Sequence, residues 1–176
     1  MNEMTLLLAL GALALTWTTS AQTEPEQESN RVGFKPSLFG PPQWRLLHMN
    51  ALNLPRHVGK ATVKFETYLF ATADVLPCLS CREDFGTVLH RVPVRKFLSK
   101  GRAGAVALMY VLHSIVSDRL GRKAQPIFVE EELLLREYGG NVAPEDVPLI
   151  LAELRSDHKK HGLDKMVSNV FKSYKH

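Results

Sequence analysis

From Pro36 onward the apolar residues recur at the three- and four-residue intervals of an α-helix, interrupted by proline and glycine. Trp44, Leu47, His48 and Ala51 mark a first stretch, which Pro41 and Pro42 are placed to start and Pro55 to end. A second is predicted from about Val58 to Val75, with Ala61, Phe65, Tyr68, Leu69 and Thr72 on one side. Pro77 opens a third that carries Cys78, Cys81, Phe85, Val88 and Leu89 on one face, and Pro93 closes it. A fourth begins near Ala103, carries Val106, Met109, Tyr110, His113, Val116 and Ser117, and stops at Gly121, a residue suited to a left-handed helix end.

After Pro126 the pattern predicts a short acidic helix, Glu130 to Tyr138, then a Gly139-Gly140-Asn141 break. An amphipathic helix from near Pro144 or Glu145 follows, whose Leu149, Ile150 and Leu154 are expected to pack on the bundle or on a partner subunit. The chain then reads as a Lys-rich tail in which His158, His161 and His176 look solvated. No alternating run is convincing as a strand. The expectation is an all-α protein, a four-helix bundle with additional C-terminal helices.

The N-terminal region is different. Met4 to Leu15 is an apolar run of about a dozen residues, too short to span a bilayer but suited to a secretory leader. Residues 1–21 are therefore expected to be a signal peptide or hydrophobic leader, with no stable membrane span. Residues 22–35 read as a polar linker, 36–128 as the helical bundle, and 129–176 as a C-terminal helical extension with a basic tail. Such a leader favours the secretory lumen or the cell exterior, an oxidising setting, with the mitochondrial intermembrane space and the virion as the alternatives.

Composition narrows the partners. The 45% hydrophobic and 23% charged content is that of a chain able to build its own core. The net charge of +4 comes from scattered basic residues without an interleaved aromatic run, so no nucleic-acid partner is expected.

The strongest chemical signal is Leu76-Pro77-Cys78-Leu79-Ser80-Cys81, which holds the chain's only two cysteines. Three residues apart, they cannot staple distant segments, so their value lies in reactivity or metal binding unless they are incidental. At a helix start the free N–H groups stabilise a thiolate, and i and i+3 share one face, so the sulfurs can pair. One can then act as the exposed nucleophile and the other as the buried resolving thiol. Haem attachment would need histidine at position 82, which is arginine, and a thioredoxin-type site would need a βαβ setting. A metal-binding helical domain would need two further ligands, for which His90 and His113 are the candidates, but the spacing matches no zinc finger and no metal site is expected. Two inert buried cysteines are the remaining alternative.

The surrounding residues change that balance. The chain reads Gly40-Pro-Pro-Gln-Trp44-Arg-Leu-Leu-His48, then Pro77-Cys78-Leu-Ser-Cys81, then His113-Ser114-Ile-Val116-Ser117-Asp-Arg119-Leu120-Gly121-Arg122. In this order the blocks resemble the Erv/ALR-type FAD-dependent sulfhydryl oxidases, over roughly Phe39 to Lys123. The family pattern is Gly-x-x-x-Trp-x-x-x-His, Pro-Cys-x-x-Cys, and His-Asn-x-Val-Asn with a Leu-Gly-Lys segment soon after.

The resemblance implies a homodimeric bundle that holds FAD. Cys78 would take electrons from thiol-containing proteins or small dithiols. Cys81 would pass them to the flavin, and O2 would accept them to give H2O2. Gly40, Trp44, His48, His113, Val116 and Ser117 match positions around the cofactor, and Arg119 and Arg122 match basic positions near its phosphates. Ser114 and Ser117 stand where the family has asparagines, and Leu76 where an aromatic residue is usual. The family's later tryptophan has no counterpart, although Tyr138 could substitute, and no shuttle cysteine pair is present. A helical scaffold that has lost its flavin is therefore the main rival.

Overall fold

A computed structural model of the protein describes residues 34–123, 126–140 and 142–174. The expected leader and most of the expected linker lie outside the described residues. Within them, no helix is long and apolar enough to cross a membrane.

Eight helices and no strand are found among the described residues: α1 (Pro36–Leu52), α2 (Lys60–Val75), α3 (Leu79–Arg91), α4 (Val94–Leu98), α5 (Gly101–Arg119), α6 (Val129–Tyr138), α7 (Val147–Lys160) and α8 (Leu163–Tyr174). The long helices α1, α2, α3 and α5 form the bundle, and α6, α7 and α8 are the additional C-terminal helices.

The core is built around α5. Ala103, Ala105, Val106, Ala107, Leu108, Met109, Val111 and Leu112 are all buried, so this helix is apolar on every side, as a helix surrounded by others must be. It packs against α1, α3, α4, α7 and α8. The small residues at its N-terminal end let neighbouring backbone approach closely, and Gly121, at a φ of 66°, closes the following turn in the left-handed conformation foreseen for it.

Two details of the helical pattern depart from expectation. Helix α1 starts at Pro36 and carries Pro41 and Pro42 inside it. The residues around them are exposed, so the carbonyls deprived of their N–H partners face water and the helix tolerates the missing bonds. The expected Lys-rich tail is a folded helix, α8, which buries Leu163, Val167 and Val170 at helical spacing. His158 is correspondingly not solvated: it lies on α7, buried, with Nε2 2.9 Å from Asp164 and its ring edge-on to Phe128. Leu154 is buried in the core and Ile150 packs against it, whereas Leu149 points into solvent.

Polar ties lock the C-terminal helices on. Arg56, in the α1–α2 connection, donates Nε and Nη2 to the two carboxylate oxygens of Asp157, each at 2.8 Å. Arg102 Nη2 donates to Glu153 at 2.6 Å, joining α5 to α7.

Candidate redox site

Pro77 and Cys78 lead into α3, and Cys78 is its N-cap. The sulfur of Cys78 is bonded to that of Cys81 in a disulfide with a Cα–Cα separation of 5.2 Å. The Cys81 N–H points at Cys78 Sγ from 3.2 Å, and Ser80 Oγ lies 3.3 Å from the same sulfur. These first-turn donors occupy the position where they stabilise negative charge on Cys78. Arg82 Nε donates to the Leu76 carbonyl at 2.5 Å and so holds the Leu76-Pro77-Cys78 turn. Cys81 faces inward and packs against the core, while the Cys78–Ser80 edge is solvent-exposed.

One helical turn beyond Cys81, Phe85 is buried and meets Trp44 of α1 edge-on, with centroids 5.6 Å apart. Trp44 in turn stacks on His113 of α5, at 4.3 Å and 10° from parallel. Three of the expected site residues thus form one aromatic group, tied through Phe85 to the helix that carries the disulfide: Trp44, His113 and His48, whose ring centroid is 5.4 Å from that of His113.

The site also contains residues that the sequence pattern did not flag. Glu130 and Glu131, in the first turn of α6, face the two histidines. His48 Nδ1 donates to Glu131 Oε1 at 2.9 Å, with both side chains almost fully buried. Glu130 Oε2 lies 3.1 Å from His113 Nδ1 and 3.4 Å from His48 Nε2. Burial pushes the Glu130 carboxyl up, but the hydrogen bond with His113 and the charges of His48, His113 and Arg45 outweigh this and hold it below the usual carboxylate range.

Beyond the histidines lies a cavity of about 210 Å³ lined in part by Tyr110, Ser114, Ser117, Arg122 and Lys123. A neighbouring cavity of about 470 Å³ shares Tyr110, Ser114, Arg122 and Lys123 and adds Arg91, Arg119 and Tyr174. Arg91 and Arg119 sit over the Tyr174 ring, at 4.7 and 5.6 Å from its centroid. Among the described residues, the buried Tyr174 hydroxyl has no hydrogen-bond partner.

Of the expected residues, the structure therefore gathers Trp44, His48 and His113 with one another, and Ser117, Arg119 and Arg122 around the two cavities. Val116 is half-buried against the core and lines neither cavity. Gly40 lies one turn before Trp44 with open space where a Cβ would be, so nothing in the structure requires glycine there. Tyr138, at the end of α6, is half-exposed and lines neither cavity. His90 is exposed against Phe70, away from the His48–His113–Glu130 group, which contains neither cysteine. Tyr110 and Tyr174 gave no local signal because their helices become cavity walls only once α8 has docked.

The order of these residues along the helices matches a family model of the Erv1/Alr family over residues 41–136. The chain belongs to the Erv1/Alr family. Among solved structures, the FAD-binding domain of Erv1 from Saccharomyces cerevisiae shares its fold, with a TM-score of 0.53 at 18% identity over 60% of this chain and 98% of that one. No curated protein matches the chain. The Erv1/Alr match ends within α6, so α7 and α8 lie outside it.

Proposed function

We propose that this Erv1/Alr protein is an FAD-linked thiol oxidase that forms disulfides in thiol-containing proteins or small dithiols through Cys78 and Cys81. The observation that carries the reading is the Cys78–Cys81 disulfide at the N-terminus of α3, adjoining the Phe85–Trp44–His113 aromatic group.

The residues present fit the cofactor. A diphosphate carries negative charge, and Arg119, Arg122 and Lys123 line adjoining cavities of a size ordinary for ligands. Among the described residues the Tyr174 hydroxyl in that wall has no partner, and a polar ligand atom would supply one. Ser114 and Ser117 offer single hydroxyl contacts where the family pattern has amides, so this chain would hold FAD more by charge and stacking than by bidentate amide bonds. FAD when bound supplies a two-electron sink for the reduced cysteine pair and passes the electrons to O2, giving H2O2.

The protein's own residues perform the thiol chemistry. A substrate thiolate attacks the accessible Cys78 sulfur, forming a mixed disulfide and breaking the Cys78–Cys81 bond, so that Cys81 leaves as thiolate. A second substrate thiolate attacks the substrate sulfur of that mixed disulfide. The substrate leaves oxidised, and Cys78 leaves as a thiolate beside the Cys81 N–H and Ser80 hydroxyl. Two electrons have then passed from the dithiol to the pair, and the two protons shed when the substrate thiols ionised balance those that the two leaving thiolates can take up from solvent. The inward packing of Cys81 supports its role as the cysteine that hands the electrons on.

We extend the proposal to a homodimer working in an oxidising lumen or outside the cell. The family pattern supports the dimer, as do Leu38 and Leu46, which α1 leaves in solvent; the leader-like Met4–Leu15 run supports the compartment. The test is the visible spectrum of the purified protein before and after adding a dithiol. A flavin band at about 450 nm that bleaches on reduction and recovers in air is the expected result. A protein that stays colourless with added FAD would overturn the flavin reading in favour of a flavin-less scaffold.

A further inference from the structure

Three lone-pair atoms from three different helices converge where α1, α5 and α6 meet. His113 Nδ1 is 3.3 Å from His48 Nε2 and 3.1 Å from Glu130 Oε2, and His48 Nε2 is 3.4 Å from Glu130 Oε2. The three atoms thus form a nearly equilateral triangle. A zinc ion bonded at about 2.0–2.1 Å in tetrahedral geometry separates its ligand atoms by about 3.3 Å, so the triangle has the dimensions of one face of a zinc site.

The proton inventory points the same way. Glu131 accepts from His48 Nδ1 at 2.9 Å, which fixes that ring's proton on Nδ1 and turns the Nε2 lone pair toward His113 and Glu130. A single proton on His113 Nδ1 cannot satisfy both His48 Nε2 and Glu130 Oε2, whereas one cation at the centre satisfies all three. A carboxylate on the far nitrogen of a ligating histidine is also the outer-shell partner that metal sites use to orient the ring. Glu131 and His48 are both almost fully buried, so this partner is built into the packing rather than drawn from the surface.

We propose that His48, His113 and Glu130 bind a divalent transition-metal ion of the zinc class, with Glu131 positioning His48. Two imidazole nitrogens and one carboxylate oxygen are ligands that zinc accepts, and three protein ligands leave a fourth position open. That position faces the small cavity lined by Ser117, Arg122 and Lys123, so a water or an anionic group completes the shell. The ion uses ring edges rather than the Trp44–His113 stacking faces, so the site goes beyond the flavin reading although it shares His48, His113 and the small cavity with it.

The test is Zn²⁺ titration of the untagged protein as purified, against a chromophoric chelator and without reductant, so that Cys78 and Cys81 stay paired and cannot act as ligands. One Zn²⁺ per chain is expected, with a visible spectrum typical of tetrahedral coordination when Co²⁺ replaces it. Glu130→Gln should weaken binding at least tenfold, and Glu131→Gln should weaken it about 10–100-fold through His48. Glu132→Gln should bind as the parent does, because Glu132 pairs instead with Arg136 on the same helix. Circular dichroism establishes that each variant is folded. Absence of a site in the micromolar range, or undiminished binding by a folded Glu130→Gln protein, would overturn the proposal. Neither result bears on the flavin band, so the two readings fail separately.

Discussion

Trp44 of α1 and His113 of α5 lie face to face, 4.3 Å between ring centroids and 10° from parallel, with Phe85 of α3 edge-on to the same indole. One side chain thus joins the helix that carries the disulfide to the helix that carries the second histidine. Trp44→Ala removes both of these contacts and the edge-on one to His48 at 6.4 Å. It should destabilise the fold by about 2 kcal/mol, less than a fully buried tryptophan would cost, because Trp44 is only partly buried. It should also lower flavin content at least tenfold. Urea unfolding and the flavin-to-protein absorbance ratio measure the two effects, and Trp44→Phe should recover part of each.

Replacing either cysteine with serine should reduce dithiol oxidation to background, because neither sulfur can cycle alone. The two variants should still differ. Cys78→Ser leaves the inward thiol in place, whereas Cys81→Ser leaves only the accessible one, which should attack an added disulfide and keep half of it as a mixed disulfide that no resolving thiol can release. Mass spectrometry after incubation with a small symmetrical disulfide distinguishes them: an adduct of half that disulfide on Cys78 is expected in the Cys81→Ser protein, the other half leaving as a thiol. Full activity in that protein would contradict the mechanism.

Gly104 inverts an ordinary rule. Replacing a helix-interior glycine with alanine usually stabilises, by about 1 kcal/mol. A Cβ at Gly104, however, would overlap the Phe97 backbone carbonyl and come within 2.8 Å of Lys100 Cβ. Gly104→Ala should therefore destabilise, by about 1–3 kcal/mol, as α4 is forced off α5. Thermal melting against Gly86→Ala, where the space is open, gives the control.

Acid should loosen the C-terminal helices. The hydrogen bond from Arg56, aided by the charges of Arg56, His161 and Lys160, outweighs burial and holds the Asp157 carboxyl below its usual range. A carboxyl lowered in the folded state stabilises fully above its unfolded value of about 3.9, and the contribution disappears as pH falls through the lower folded value. Melting temperature should therefore drop below about pH 4. Asp157→Asn should be less stable near neutrality and should show a shallower acid decline. An acid limb unchanged by that substitution would exclude the Arg56–Asp157 pair as its source.

The sequence made some of this architecture legible and hid the rest, for physical reasons. Helices were readable wherever their buried face was broad, as along α2 and α5, and Pro77 and Gly121 marked real boundaries. The short helix α4 lies between Pro93 and a glycine-containing turn, with too few residues to show a period. In α8 the buried stripe of Leu163, Val167 and Val170 is only one residue wide per turn, among lysines and polar residues that read as tail. At the site, Trp44, His48, the cysteine pair and His113 were found from their order along the chain. Glu130 and Glu131 could not be, because acidic residues at a helix start serve the helix dipole equally well, and only the docking of α6 on α1 turns them toward the histidines.

The enclosure of α5 has a consequence for where this protein can be cut. The Erv1/Alr match ends at Arg136, and a fragment ending there would retain both cysteines, both histidines and both glutamates. It would also expose the flank of α5 that α7 and α8 cover, stripping Phe171 from Tyr110 and Asp157 from Arg56. The shared ancestral portion and the cooperative folding unit therefore have different lengths, and a truncated chain chosen by family boundaries should self-associate through the strip it bares.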